Sequence, residues 1–257
     1  MTQFSDDLYL GAANFGGNGS YGFPNNGFNG SSLEFSYGGL GVGPMGRVFS
    51  YDVVPLTKNA TAFAASQSPG SAAIALSAGT GVTAVVYADG TTRYVADVAR
   101  AVTVTSGGND TGIAFLIKGH DIYGQSMSQL LTGASGAAAT TTKAFYDVVS
   151  VTPNGAASST VTVGTADVFG LPIALTVGSY VGNVGWTSSN VFALDAGTLV
   201  LAVATSPATT TTGDVRGTYA PSTASNGANR LVFTQVLSAS QSGPSATAAA
   251  VMGVQQV

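Results

Sequence analysis

The segment GHDIYGQSMSQLLTG, residues 119 to 133, carries the chain's single histidine, His120, beside Asp121 and close to Tyr123, Gln125, Ser126 and Ser128. An imidazole near a carboxylate and serine hydroxyls is raw material for nucleophilic catalysis: the ring takes a proton from the nucleophile while the carboxylate orients the ring. The spacing argues against that chemistry. Consecutive residues of an extended strand point to opposite faces, so Asp121 is badly placed to orient His120. The Gly-x-Ser-x-Gly elbow is missing too, because Gly133-Ala134-Ser135-Gly136 has the wrong spacing. The segment reads as a polar turn between two strands, with His120 solvated or bonded locally.

Other chemistry is no better served. With one histidine and no cysteine, zinc would need carboxylates or waters as its remaining ligands. SGGNDTG, residues 106 to 112, superficially resembles a calcium loop but lacks alternating Asp-x-Asp-x spacing and reads as a plain turn. Asp52, Asp97, Asp121, Asp147, Asp167 and Asp195 are candidate carboxyls for glycoside cleavage, which needs two of them facing across a cleft. Each also sits beside a turn or strand end, where Asp is ordinary. GGLGVGPMG has closely spaced glycines but no following helix to present its N-terminus to a phosphate. Trp186 reads as a core or loop anchor. No catalytic, cofactor-binding or metal residue is assigned, and the chain is not expected to be an enzyme.

The elements that must position these residues follow from composition. Of 257 residues, 8% are charged and 45% hydrophobic, and glutamate occurs once, at Glu34. Thr and Val favour strands, Gly, Asn and Ser favour turns, and strong helix formers are scarce. The expected class is all-β, a β-sandwich or jelly-roll-like body with an extended, irregular N-terminal arm and a C-terminal tail. The net charge is −4, and the eight basic residues are scattered from Arg47 to Arg230. Without clustered cations to displace phosphate counterions, nucleic acid is not an expected partner. The longest apolar runs, such as IAFLI at 113 to 117, fall far short of the roughly 20 residues of a membrane helix, so no membrane contact is expected. The N-terminus has acidic residues where a signal peptide has basic ones, so synthesis in the cytoplasm is expected.

Residues 1–46 pack aromatics between glycines and asparagines without a sustained period. They read as an arm whose Phe15, Tyr21, Phe23, Phe28, Phe35 and Tyr37 dock on neighbouring subunits, since a solitary protein seldom displays so many exposed rings. Residues 47–237 form the body, with a possible division into two β subdomains near 106–112, and 238–257 form an extended tail. RVFSYDVVPL alternates and is stopped by Pro55. Asp89-Gly90 in TAVVYADGTTRYVADV predicts a hairpin with a type I′ turn. AVTVTSGGNDTGIAFLIKG repeats that pattern with a longer loop. KAFYDVVSVTPNGAASSTVTVG predicts a strand pair around Pro153, Asn154 and Gly155. GDVRGTYAPSTASNGANRLVFTQVL predicts another, and AATTTKAFYDVV allows one helical turn. SPATTTTG, residues 206 to 213, predicts an exposed loop.

GHDIYGQSMSQLLTG, then TTKAFYDVVSVTP, then STVTVGTADVFGLPIAL resemble a recurring block in virion structural proteins of tailed bacteriophages. The residues that carry the resemblance are Gly119, Asp121, Tyr123, Gly124 and Gln125; Lys143, Ala144 and Phe145; and Val163, Gly164, Asp167, Gly170, Leu171 and Pro172. Asp214, Arg216, Gly217, Thr218, Tyr219 and Pro221 resemble the same proteins' closing hairpin. The likeness covers about residues 112 to 235. It departs at Gln129, where such proteins often have Glu. The resemblance implies a capsid decoration or cement protein without catalytic residues or cofactors, located on the capsid surface. Its implied partner is the major capsid protein, and a homotrimer is the expected assembly. A head-tail connector or tail-tube component is the alternative within virion proteins, and a glycan-binding or glycan-cleaving β protein the alternative outside them. Within the block, Gly124 permits a tight turn and Gly170-Leu171-Pro172 ends a strand.

Overall fold

The computed structural model describes residues 8–10, 46–175, 180–205, 207–236 and 256. Among these residues the chain is all-β, as its composition predicts, and its strands form two antiparallel sheets. The five-stranded sheet runs in the order β1 (Leu8–Leu10), β2 (Gly46–Val53), β14 (Arg230–Val236), β10 (Tyr180–Ser188) and β11 (Val191–Leu194). The nine-stranded sheet runs β12 (Thr198–Val200), β13 (Thr218–Ala220), β9 (Val161–Gly170), β5 (Thr92–Ser106), β8 (Ala138–Pro153), β6 (Ala114–His120) and β7 (Ser126–Thr132). Two further strands join it: β3 (Ala64–Gln67) pairs with β9, and β4 (Val82–Val86) with β5.

Two long strands shape the larger sheet. β5 has 15 residues and β8 has 16, and their register shifts between Val95 and Arg100 and again between Ala101 and Thr103. An extra residue in a ladder bends the strand and increases its twist. The same edge of β5 is shared, with β4 on its first residues and β9 on its last. The sheet therefore curls into a half-barrel. Phe63, Phe115, Ile117, Phe145, Val151 and Val163 fill the curl, all with no exposed surface. Each phenylalanine so placed is worth roughly 1.5–3 kcal/mol of burial. A second core lies between the sheets, where Phe169 and Tyr219 meet Trp186, Leu231 and Phe233. Trp186 is thus a core residue.

The expected stops hold. β2 ends at Val53, ahead of Pro55, and β9 ends at Gly170. The hairpin at Asp89-Gly90 forms between β4 and β5, but only Gly90 takes a positive φ (80°), so its turn is not type I′. Tyr87 accepts from the Gly90 amide and donates to Thr91, closing a wider loop. Positive φ at two consecutive residues occurs instead at Ser189 and Asn190, in the unforeseen hairpin between β10 and β11.

Three expected strand pairs are not pairs. β8 lies between β5 and β6, β5 lies between β9 and β8, and β13 and β14 belong to different sheets. AATTTKAFYDVV makes no helical turn: it is continuous strand within β8, flanked by β5 and β6, and its Thr, Phe, Tyr and Val suit that surface. SPATTTTG is only partly exposed, since Ala208 is buried and the Thr210 carbonyl accepts from the Leu130 amide. The arm anchors Phe15, Tyr21, Phe23, Phe28, Phe35 and Tyr37 lie outside the described residues, as does the tail apart from Gln256. β1 pairs antiparallel with β2, Leu10 opposite Gly46, so residues 11–45 join two paired strands.

Candidate functional site

The polar corner is the turn of the β6–β7 hairpin. Asp121 organises it: Oδ1 accepts from the amides of Tyr123 and Gln125, both at 2.9 Å, and Gly124 turns the chain at φ 75°. Oδ2 of the same carboxylate receives Arg216 NH1 at 3.0 Å. Both residues are almost fully buried. Arg216 Nε donates to the Leu171 carbonyl (3.1 Å), and its guanidinium lies 5.2 Å from the Tyr123 ring centre. The Tyr123 hydroxyl reaches the Pro172 carbonyl at 2.7 Å. One arginine thus ties the corner to the end of β9 and to the segment before β13.

A second buried group adjoins it. Asp214 accepts from the amides of Arg216 (2.9 Å) and Ala144 (3.1 Å). Burial pushes its carboxyl up, against the pull of Arg216 and Lys143. The Lys143 ammonium is capped by the carbonyls of Ser128 (3.0 Å) and Thr209 (2.9 Å), and burial pulls its pKa down while Asp214 opposes. Gln129 accepts from the Lys143 amide and donates to Thr142. Gln129 thus supplies one acceptor and one donor, which an ionised Glu could not.

His120 is bonded across the sheet. Its Nδ1 lies 2.8 Å from Asp147 Oδ1 and 3.2 Å from Arg93 NH1. An arginine N–H only donates, and Nδ1 cannot donate to Asp147 while accepting from Arg93. The shorter contact fits an Nδ1–H donated to Asp147, with Arg93 a close neighbour of that nitrogen. Arg93 also stacks on Tyr87, 4.0 Å from the ring centre, and reaches Asp89 at 3.5 Å. The result is a ladder of Arg93, Asp147 and His120 across β5, β8 and β6.

Gly119 makes that ladder possible. Val149 is the extra residue where the β6–β8 register shifts between Lys118 and Gly119. A Cβ on Gly119 would lie 1.9 Å from the Asp147 carbonyl oxygen, so the strands approach only because position 119 has none. Lys118, His120, Ser126, Met127 and Val149 border an open cleft of about 340 Å³, near the lower end of small-ligand pockets (about 300–1,000 Å³). An imidazole oriented by a carboxylate is one half of a hydrolytic pair. The carboxylate that meets the imidazole is Asp147 and not Asp121, which lies past the end of β6 and turns to Arg216.

The carboxyls considered for glycoside cleavage are distributed over separate partners. Asp97 and Asp167 do converge, but on the Arg100 guanidinium, at 3.1 and 2.6 Å. Arg100 also donates to the carbonyls of Leu56 and Ala166, both at 3.0 Å, deep beneath the surface. Asp52 pairs with Arg230 on the surface. Asp195 accepts from Trp186 Nε1, the Tyr219 hydroxyl and the amides of Ser222 and Thr223. Burial alone would raise that carboxyl, but the Ser222, Thr223 and Tyr219 hydrogen bonds outweigh it and bring it down to about 2. In SGGNDTG, Asn109 Oδ1 accepts from the Thr111 amide at 3.2 Å, a local turn. Among the described residues no three metal-binding side chains gather.

Sequence reasoning missed Arg93 and Arg100 as organisers. One signal was available: the single arginine in the mainly apolar run VADVARAVTV, which a buried strand tolerates only with partners such as Asp97.

No family model matches the chain. Neither the curated proteins nor the solved structures include a match.

Proposed function

We propose that this chain is a structural protein of a tailed-bacteriophage virion, of the capsid decoration or cement type. It would bind the head shell and stabilise it through inter-subunit contacts, without catalysis. The observation that carries the reading is the Asp121–Arg216 pair. It draws together the stretches on which the resemblance rests, 119–125, 170–172 and 214–219, with 143–145 bonded alongside through Asp214. Asp121 and Arg216 hold the hairpin turn and the end of β9, while Asp214 and Lys143 bind the backbone of β8 and β7. A block whose residues fix shape suits a protein whose product is a shape.

Charge supports a protein partner, the major capsid protein, over nucleic acid. Arg100, Lys143 and Arg216 are buried, and Arg93 and Arg230 are committed to carboxylates. Few cations remain to displace phosphate counterions. The working unit is a homotrimer at threefold or quasi-threefold positions of the shell. Adhesion would come from apolar and aromatic area, at about 25 cal/mol per Å², multiplied by many copies on one shell. Such contacts respond little to salt.

The test is co-sedimentation of the full chain with capsids assembled from the major capsid protein alone. Binding in copy number proportional to the shell's subunits, and persisting in molar salt, is expected. No binding, or copies limited to a single ring as in a neck component, would contradict the assignment. Deleting residues 2–40 is expected to leave a folded body that no longer sediments with capsids. Full retention would remove the arm from the mechanism.

A further inference from the structure

Among the described residues a ribbon of hydrocarbon is exposed at an edge of each sheet. β11 is an edge of the five-stranded sheet and β12 an edge of the nine-stranded sheet, and only Asp195-Ala196-Gly197 separates them. All residues of both strands are exposed, on both faces. Val191 is 67% exposed, Leu194 75% and Val200 51%, and Phe192, Leu199 and Leu201 are each well over a third exposed. Uncovered side-chain area in this ribbon is roughly 500 Å², toward the upper end of the largest patch on a typical monomer (about 300–600 Å²). One side of a standard protein–protein interface is about 800 Å², so a neighbour that packs along the edge and covers both faces of the ribbon takes up a large part of it.

The ribbon is also rigidly held and free of outward charge. Its one ionisable residue, Asp195, is buried and turned inward onto Trp186, Tyr219, Ser222 and Thr223. The bends on either side are therefore fixed, and the side chains flanking the anchor are left outside. Two such surfaces can meet without like-charge repulsion, whereas a basic or acidic partner finds no counter-charge there.

We infer that residues 191–201 form the subunit–subunit surface of a homo-oligomer, and that the occupant is a second copy of this chain. Edge strands β11 and β12 each pair on one side only among the described residues, so the neighbour can add backbone hydrogen bonds as well as cover the side chains. The inference stands apart from the virion assignment, because the purified chain reports it without any capsid.

The experiment is sedimentation-velocity analysis of the full chain across a concentration series, compared with Val191→Asp/Leu194→Asp. The wild type is expected as a dimer or trimer, and the double variant as a folded monomer. Leu194→Ser, milder and safe for folding, should raise the dissociation constant by about tenfold, the equivalent of roughly 1.4 kcal/mol. Val86→Asp, at a site 70% exposed on the nine-stranded sheet away from the ribbon, adds one such charge and should leave the mass unchanged. A wild type that stays monomeric throughout overturns the inference. So does an oligomer that both ribbon variants leave intact, the result expected if residues 11–45 of a neighbour carry the contact instead.

Discussion

The corner at Asp121 and the ribbon at 191–201 are built on opposite plans. At the corner, Asp121, Arg216, Asp214 and Lys143 are buried, and each ion is met by backbone groups or an opposite charge. At the ribbon, Val191, Leu194 and Val200 stand in solvent, and the one carboxylate has been drawn inside. The usual placement of charge outside and hydrocarbon inside is reversed in both places. In a chain with 8% charged residues, several of the described ions are buried inside the frame, while the ribbon at 191–201 is left to apolar and small groups. A buried ion pair is seldom a cheap source of stability, but removing one member leaves the other stranded, so it enforces one arrangement strongly.

The sharpest way to break this comparison is to remove a corner cation. Arg216→Met is expected to cost about 3–5 kcal/mol, because Asp121 would stay buried without its partner. Urea unfolding measures it, and a change below about 1 kcal/mol would mean the corner is not structural. Next comes Gly119→Ala, which sets a methyl group against the Asp147 carbonyl oxygen. Its cost should fall near 3 kcal/mol, the upper part of the range for overpacking. Gly124→Ala, with open space but φ 75°, should cost only about 1–2 kcal/mol.

Acid should act through the anchor of the ribbon. The folded Asp195 carboxyl is depressed from 3.8 to about 2, so its contribution is complete above the unfolded value and is lost as pH falls through the folded one. That contribution is about 2 kcal/mol. Stability should fall by that amount between pH 4 and pH 2, and Asp195→Asn should remove that component of the pH dependence. The smallest effect belongs to the ribbon surface itself. Leu194→Ser should change monomer stability by no more than about 0.5 kcal/mol, measured at a concentration where no oligomer forms.

Much of the local design was legible in the sequence because it is local chemistry. Pro55 ends a strand, Gly124 allows a turn, and Gly170-Leu171-Pro172 closes β9, each for reasons contained within a few residues. Asp121 is separated from His120 by the turn, where it caps two amides and meets Arg216. The carboxylate that does meet the imidazole, Asp147, is 27 residues away on a neighbouring strand, and no short-range rule points to it. Strand partners were misread for the same reason. β5 sits between β8 and β9, a choice made by long-range packing of two bulged strands and not by the turns at 106–112 or 153–155. Nor does VFALDAGTLVL differ from any buried strand pair in composition. Only its position at the two sheet edges leaves it uncovered.

Hydrogen exchange on the full chain, read residue by residue at low and high protein concentration, tests the contrast most directly. The corner amides of Ala144, Leu171 and Arg216 should exchange only with global unfolding at either concentration, while outward-facing amides of 191–194 exchange quickly when dilute and slow when concentrated. Early exchange at the corner, or a ribbon whose protection ignores concentration, would contradict an ion-held frame that presents an apolar surface to its own copies.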